Sequence, residues 1–245
     1  TAKKTRSFAS RVFRYGVATT RCKGDPTTML RGALITPKAK HYAAILEPKD
    51  LGGLLRAMQD YTGNFITRYA LLIAPHVFVR PGELRHADWK EIDLEEGVWR
   101  IPEGKMKARR PHAVPLSKQV VGYLKELAEM VGTEGYVFPS ARASVRPMSE
   151  NTLNAAFRRM GFTKDEVTAH GLRATASTML NESGLWNPDA IERGLAHGDS
   201  NAVRGVYHRG KHWEERVRMA QWWSDYLDTI REGGKVIKGA FAGRA

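Results

Sequence analysis

The sequence predicts a mainly α-helical chain carrying one small antiparallel β-sheet, an α+β fold in which helices dominate. Three observations lead there. Apolar residues return every three or four positions through most of the chain after residue 48. One run, "GVWRIPEGKMKARRPHAVPLS", reads instead as two short strands joined by a basic turn. The 42% hydrophobic content is enough for a real core, yet no stretch approaches the ~20 apolar residues of a membrane span.

In chain order, "SFASRVFRYGVAT" (7–19) reads as a short helix with Phe8, Val12, Tyr15 and Val17 near one face. "KGDPTTMLRGALITPKAKHY", rich in Gly, Pro and Lys, reads as a linker, with a boundary near residue 41. The segment before it is too short for a core of its own, so 1–41 is read as a basic stub, the tail end of another domain. "EPKDLGGLLRAMQDY" and "NFITRYALLIAPHVF" each space apolar residues for a helix. Pro81 suits a helix's first turn. The strands are expected at 98–101 and 112–116, and further helices at about 117–131, 149–160 and 171–182, the last closed by Gly184. Asn187-Pro188 reads as an N-cap and first helical residue for a helix over about 188–195. A final helix, about 212–231, spaces Trp213, Val217, Ala220, Trp223, Leu227 and Ile230 along one stripe. Residues 42–232 thus form the main domain and 233–245 a C-terminal tail. There is no internal repeat.

The net charge is +13, and its distribution says more than its total. Residues 1–40 hold ten Lys or Arg against Asp25 alone, whereas the remaining 205 residues carry 29 basic and 25 acidic side chains. A cationic segment on a nearly balanced body points to a polyanion, and no basic amphipathic helix with a broad apolar face favours a membrane surface. Nucleic acid is the expected partner. A single cysteine, Cys22, allows no internal disulfide and no cysteine metal cluster, which fits a reducing cytoplasm. The N-terminus is no secretory signal, and the absent initiator methionine points to a processed chain or a fragment.

Five features carry chemistry. In "NAVRGVYHRGKHW", Tyr207 stands among Arg204, His208, Arg209, Lys211 and His212. A phenol has pKa ~10, so acting as a nucleophile at neutral pH requires a base or enough positive charge to offset roughly 4 kcal/mol. "AHGLRATAS" sets His170 and Arg173 on one side of a helix start, a proton acceptor beside a group able to grip two phosphate oxygens. "FVRPGELR" places Glu83 three residues after Arg80, where a carboxylate can orient a guanidinium. "GKMKARRPHAVP" puts Lys105, Lys107, Arg109 and Arg110 on the turn between strands, and lysine can protonate a departing alkoxide where arginine cannot. "GLAHGDSN" sets His197 ten residues before Tyr207. Each feature also has a plain reading: a half-buried tyrosine, a capping pair, an intrahelical ion pair, a solvated hairpin tip, a capping histidine. No His-Glu-x-x-His run, no Gly-x-x-x-x-Gly-Lys loop and no Gly-x-Ser-x-Gly elbow occurs, so no metal, nucleotide or other cofactor is expected.

The order of these motifs resembles that of the tyrosine recombinase (phage integrase) family over roughly residues 42–232. "VRPGELR", "MKARRPHAVPLS", "AHGLRATAS" and "VRGVYHR" are particularly similar to the integrases of satellite phages and genomic islands. The resemblance implies the catalytic-domain fold of that family and a site-specific DNA recombinase for a mobile element. Arg80 and Arg173 would clamp the scissile phosphate and Glu83 would orient Arg80. Lys107, preferred to Lys105 for its distance from the "VP" pair, would be the general acid. His170 would help activate the nucleophile, His197 would bond the phosphate, and Tyr207 would form a 3′-phosphotyrosine. Lys105, Arg109, Arg110, Arg204 and Arg209 remain as DNA contacts. The full-length protein would act as a tetramer on DNA at the bacterial nucleoid, with this chain monomeric by itself. Two other functions share the charge pattern: a non-catalytic DNA-binding regulator on the same fold, and a type IB topoisomerase-like enzyme. One departure is Ala196, where many relatives have glycine before the histidine.

Overall fold

The computed structural model describes residues 2–35, 43–107, 109–197 and 212–233. The chain divides into two compact units, Thr1–His41 and Tyr42–Ala245. In the first, helix α1 (Ala2–Ala18) runs five residues further toward the N-terminus than its apolar spacing predicts. A 3-10 turn over Pro26–Leu30 is capped by Asp25, whose carboxylate also accepts from Ser10 Oγ at 2.5 Å and so ties the turn to α1. Nothing in this unit covers the predicted apolar face: Phe8 is 65% and Tyr15 64% exposed.

The second unit is a helical body around two small sheets. Helix α2 (Pro48–Gln59) buries Leu51, Leu54, Leu55 and Met58, a single stripe at helical spacing. Helix α3 (Phe65–Ile73), capped by Asn64, is buried on nearly every side and forms the centre of the core. A five-residue helix α4 (Pro81–Arg85) follows, with Pro81 in its first turn. Strands β1 (Ile92–Asp93), β2 (Val98–Ile101) and β3 (His112–Pro115) make an antiparallel sheet in chain order, with Trp99 opposite Val114 and Ile101 opposite His112. Helix α5 (Lys118–Val131) starts at the Ser117 cap. A hairpin of β4 (Pro139–Ser140) and β5 (Ala143–Pro147) follows. Neither β1 nor this hairpin was expected from the sequence. Two-residue strands leave no alternation to read, and β5 is exposed along its middle.

Helices α6 (Thr152–Arg159), α7 (Gly171–Ser183) and α8 (Pro188–Gly194) lie where the periodicity places them, with Gly184 in the left-handed conformation at the end of α7 and Asn187 capping α8. The last helix, α9 (Trp213–Arg231), packs on its own domain. Met219, Trp223, Leu227 and Ile230 are buried, whereas Val217, assigned to the buried stripe from spacing, faces out at 42% exposure. Polar contacts help fix the docking. Trp223 Nε1 donates to Pro75 O at 2.8 Å. Arg56 Nη1 donates to Arg231 O at 2.8 Å. Ser224 Oγ joins His76 Nδ1 to Ser117 Oγ, at 2.8 Å on each side. Among the described residues no helix is long and apolar enough to cross a membrane.

Candidate active site

Arg173 is the hub of the site. It lies in the first turn of α7 and is only 7% exposed. Two of its nitrogens are spent on carbonyls: Nη1 donates to Phe78 O and Nη2 to Leu195 O. Phe78 stands two residues before Arg80, and Leu195 two residues before His197. One guanidinium therefore pulls two distant loops together and brings the next functional residue of each to its side. Five N–H groups less two leave three for an anion. Burial, and then the nearby Arg80 cation, lower the Arg173 pKa to about 10, so this cation sits where a negative charge would be welcome.

Arg80 is oriented from below. Glu83, 5% exposed, accepts from Arg80 Nη1 through one oxygen and from the Arg80 backbone N–H through the other, both at 2.8 Å. A single carboxylate thus fixes the side chain and the peptide that carries it.

His170 immediately precedes α7, and its approach is fixed by α6. Asn154 Oδ1 accepts from Ala169 N at 2.9 Å, while Arg158 donates to Phe162 O at 2.5 Å and also to Val167 O. Gly171 is obligatory by space: a Cβ there would overlap the carbonyl oxygen of Ala43, which crosses the root of the helix. The imidazole's pKa is lowered, first by burial and then by the positive charges of Arg173, Arg80, His197 and Lys107. A neutral imidazole in such a field can accept a proton.

His197 follows α8, with Nδ1 2.7 Å from Glu192 Oε2, a contact that directs the other ring nitrogen away from the helix. Ala196 before it has φ of 49°, in the left-handed region that favours glycine. The departure from Leu-Gly-His is thus one of backbone conformation, beyond side-chain size. Ala196→Gly is expected to stabilise the fold by about 0.5–1 kcal/mol, the relief of ~1–2 kcal/mol of left-handed strain less the greater entropy of a glycine in the unfolded chain. Urea unfolding would measure it, and a destabilised variant would contradict it.

The turn between β2 and β3 carries Lys107, exposed, together with exposed Arg109 and Arg110. Lys105, grouped above with the DNA contacts, is turned inward: its Nζ lies 2.5 Å from Glu91 Oε1 and donates to His86 O at 2.7 Å. Tyr207, Arg204 and Arg209 lie outside the described residues. Of the expected set, Arg80, Lys107, Arg173 and His197 lie near enough to bear electrostatically on His170, and Glu83 bonds Arg80. Among the described residues, no group of three or more His, Cys, Asp or Glu side chains could hold a metal ion.

Two neighbours escaped sequence reasoning. His112 opens β3, and its pKa falls to about 3, chiefly through burial and then through Arg216, while Arg173 and Arg80 act in the same direction. Arg216 on α9 is buried, donates to Ala113 O, and stacks 5.3 Å from the Trp213 ring centre, pinning the start of α9 to β3. An Arg or His inside a helix or strand looks like any solvated residue until its neighbours are known.

His76, enclosed between α3 and α9, is likewise lowered to about 3 by burial. For a histidine whose folded pKa is depressed, the unfolded chain takes up the proton first, so stability falls as pH drops below the ordinary value of ~6.5. With His76 and His112 both near 3, unfolding at pH 5.5 should need about 3 kcal/mol less than at pH 7.5. Urea titrations at the two pH values test this, and His76→Gln should roughly halve the difference.

The helical body with its small antiparallel sheets has the fold of solved tyrosine recombinase catalytic domains. Bacteriophage lambda integrase (75–356), solved as a dimer bound to a COC′ core site, superposes with a TM-score of 0.59 at 21% identity, covering 80% of this chain and 71% of that one, a likeness of fold. The pattern of the Phage integrase family matches residues 44–212, and that of the Phage integrase central domain matches residues 1–33. The Integrase of Enterobacteria phage P4 is 39% identical over 244 residues, covering 94% of this chain and 55% of that protein. Prophage integrase IntA of Escherichia coli (strain K12) is 36% identical over 212 residues, covering 86% of this chain and 51% of that protein. The chain belongs to the phage integrase family. It spans about half the length of these curated relatives.

Proposed function

We propose that this chain is the catalytic portion of a site-specific recombinase that cuts and rejoins double-stranded DNA through a 3′-phosphotyrosine, in the integration or excision of a mobile element. The observation that carries the reading is the buried Arg173 guanidinium, which joins the segments leading to Arg80 and to His197 while Glu83 fixes Arg80. Two guanidiniums and an ammonium beside a proton acceptor suit a phosphodiester whose negative charge grows in the transition state. Arg80 and Arg173 clamp the non-bridging oxygens, and His197 bonds one of them. Tyr207 Oη attacks phosphorus and gives up its proton with the help of His170. The P–O5′ bond breaks, and Lys107 protonates the departing 5′ oxygen. The phosphotyrosyl ester keeps the bond energy, so religation needs neither nucleotide nor metal.

Residues 1–41 act as the end of a core-binding domain and its linker, supported by their excess of Lys and Arg. A tetramer on DNA is proposed for the whole protein, since the lambda integrase is known as a tetramer bound to a Holliday junction.

The test is covalent capture. A pool of nicked duplexes of randomised sequence, each losing the fragment beyond the cut, should yield a denaturant-resistant complex joined at a 3′ DNA end, and sequencing the captured ends gives the target. An absence of covalent complex, with DNA still bound, would leave a non-catalytic DNA-binding regulator. Relaxation of supercoils without exchange between sites would favour a topoisomerase-like enzyme.

A further inference from the structure

We propose that the ion pair between buried Glu91 and half-buried Lys105 is a positioning device for the proton donor, holding the β2–β3 turn so that Lys107 meets the leaving oxygen. The inference rests on the reading of Lys107 as general acid.

Glu91 ends a 3-10 turn, Trp89–Glu91, and is 7% exposed. Its Oε2 accepts from Trp99 Nε1 at 3.2 Å and from Asp88 N at 3.3 Å, so the carboxylate cannot swing. Its Oε1 takes the Lys105 ammonium at 2.5 Å, and that ammonium also bonds His86 O at 2.7 Å. The next residue, Met106, sits in the core at 5% exposure, and its carbonyl accepts from Arg109 N at 3.0 Å. Lys107 is therefore the first residue of the turn to face solvent after two consecutive side-chain anchors, one ionic and one apolar.

Three considerations separate this from simple stabilisation. The turn carries Lys105, Lys107, Arg109 and Arg110, which repel one another, and Glu91 neutralises the one at its base. A partly exposed ion pair adds little to stability, whereas this one ties the base of the turn to a carboxylate itself held by Trp99 and Asp88. A proton donor must come within roughly 2.6–3.2 Å of its target, and lysine has a long, freely rotating stem. Its backbone has to be set by something else.

The test uses the 245-residue chain and duplexes that the wild type captures, in two forms: an ordinary bridging 5′ oxygen, and sulfur in its place. Sulfur leaves as a thiolate and needs no proton. Lys105→Met, which keeps the stem and drops the charge, should cleave the oxygen substrate about tenfold to a hundredfold more slowly, within the range of general-acid catalysis. On the sulfur substrate it should match wild type within about twofold, and its DNA affinity should be unchanged. Glu91→Gln should behave alike, and Lys105→Arg, which keeps the charge, should recover most of the oxygen rate.

Equal slowing on both substrates would overturn the proposal, as would wild-type cleavage of the oxygen substrate by Lys105→Met. Weakened DNA binding without sulfur rescue would make Lys105 a DNA contact and overturn it too. Lys107→Ala is the reference arm. If sulfur fails to rescue that variant, the general-acid assignment itself falls; if it rescues Lys107→Ala but not Lys105→Met or Glu91→Gln, only the positioning device falls. Should Lys105→Met unfold, Glu91→Gln and Lys105→Arg decide the matter by the same ratio of rates.

Discussion

Tyr207→Phe is expected to abolish covalent capture of DNA, with cleavage falling by at least about four orders of magnitude, as when the nucleophile of a hydrolase is removed. The substitution deletes one oxygen and leaves the ring, so binding to the same duplex should stay within about twofold. The expectation follows from the proposed chemistry: only the phenolate can form the ester, and the surrounding cations serve the phosphate that it attacks. Gel-resolved capture beside a binding titration measures both. Capture that persists in the variant would move the nucleophile to another residue and, with it, the reading of the whole site.

The second large effect is expected at Arg173. Arg173→Lys preserves the charge, yet an ammonium cannot bond Phe78 O and Leu195 O as the guanidinium does and still turn to the proposed phosphate. Cleavage should drop by about two to three orders of magnitude, the usual loss when one preorganised donor to a transition-state oxyanion is removed. The unfolding midpoint should drop as well, because either buried carbonyl loses its donor. Arg80→Lys supplies the contrast. Its side chain is 24% exposed and its partner Glu83 can still accept from the backbone, so activity should suffer while stability changes little. A variant Arg173→Lys that cleaves within tenfold of wild type would remove this residue as a clamp.

Much of the helical scaffold was legible in the sequence, because long amphipathic helices repeat their apolar positions and declare their ends. Pro81, Gly184 and Asn187-Pro188 punctuate the chain where the structure turns. The pairing of Arg80 with Glu83 was legible too, as both lie within one turn of helix. The inward role of Lys105 was not. Its partner Glu91 is fourteen positions away across the sheet, and four adjacent cations look alike in a string. The same holds for Arg216 against Ala113, a contact between segments 103 residues apart. Residues 198–211, which carry the tyrosine motif, lie outside the described residues. The role of Tyr207 therefore stands on motif order together with the site formed by the other five side chains.

The passage of Ala43 over Gly171 has a practical consequence for trimming the protein. The chain at 43–45 caps the root of α7, with Ile45 N donating to Thr175 Oγ1 at 3.1 Å. A shortened version starting at residue 46 would strip that cover from the helix bearing Arg173 and leave a buried hydroxyl without its donor. A shortened chain should therefore retain everything from Ala43 onward.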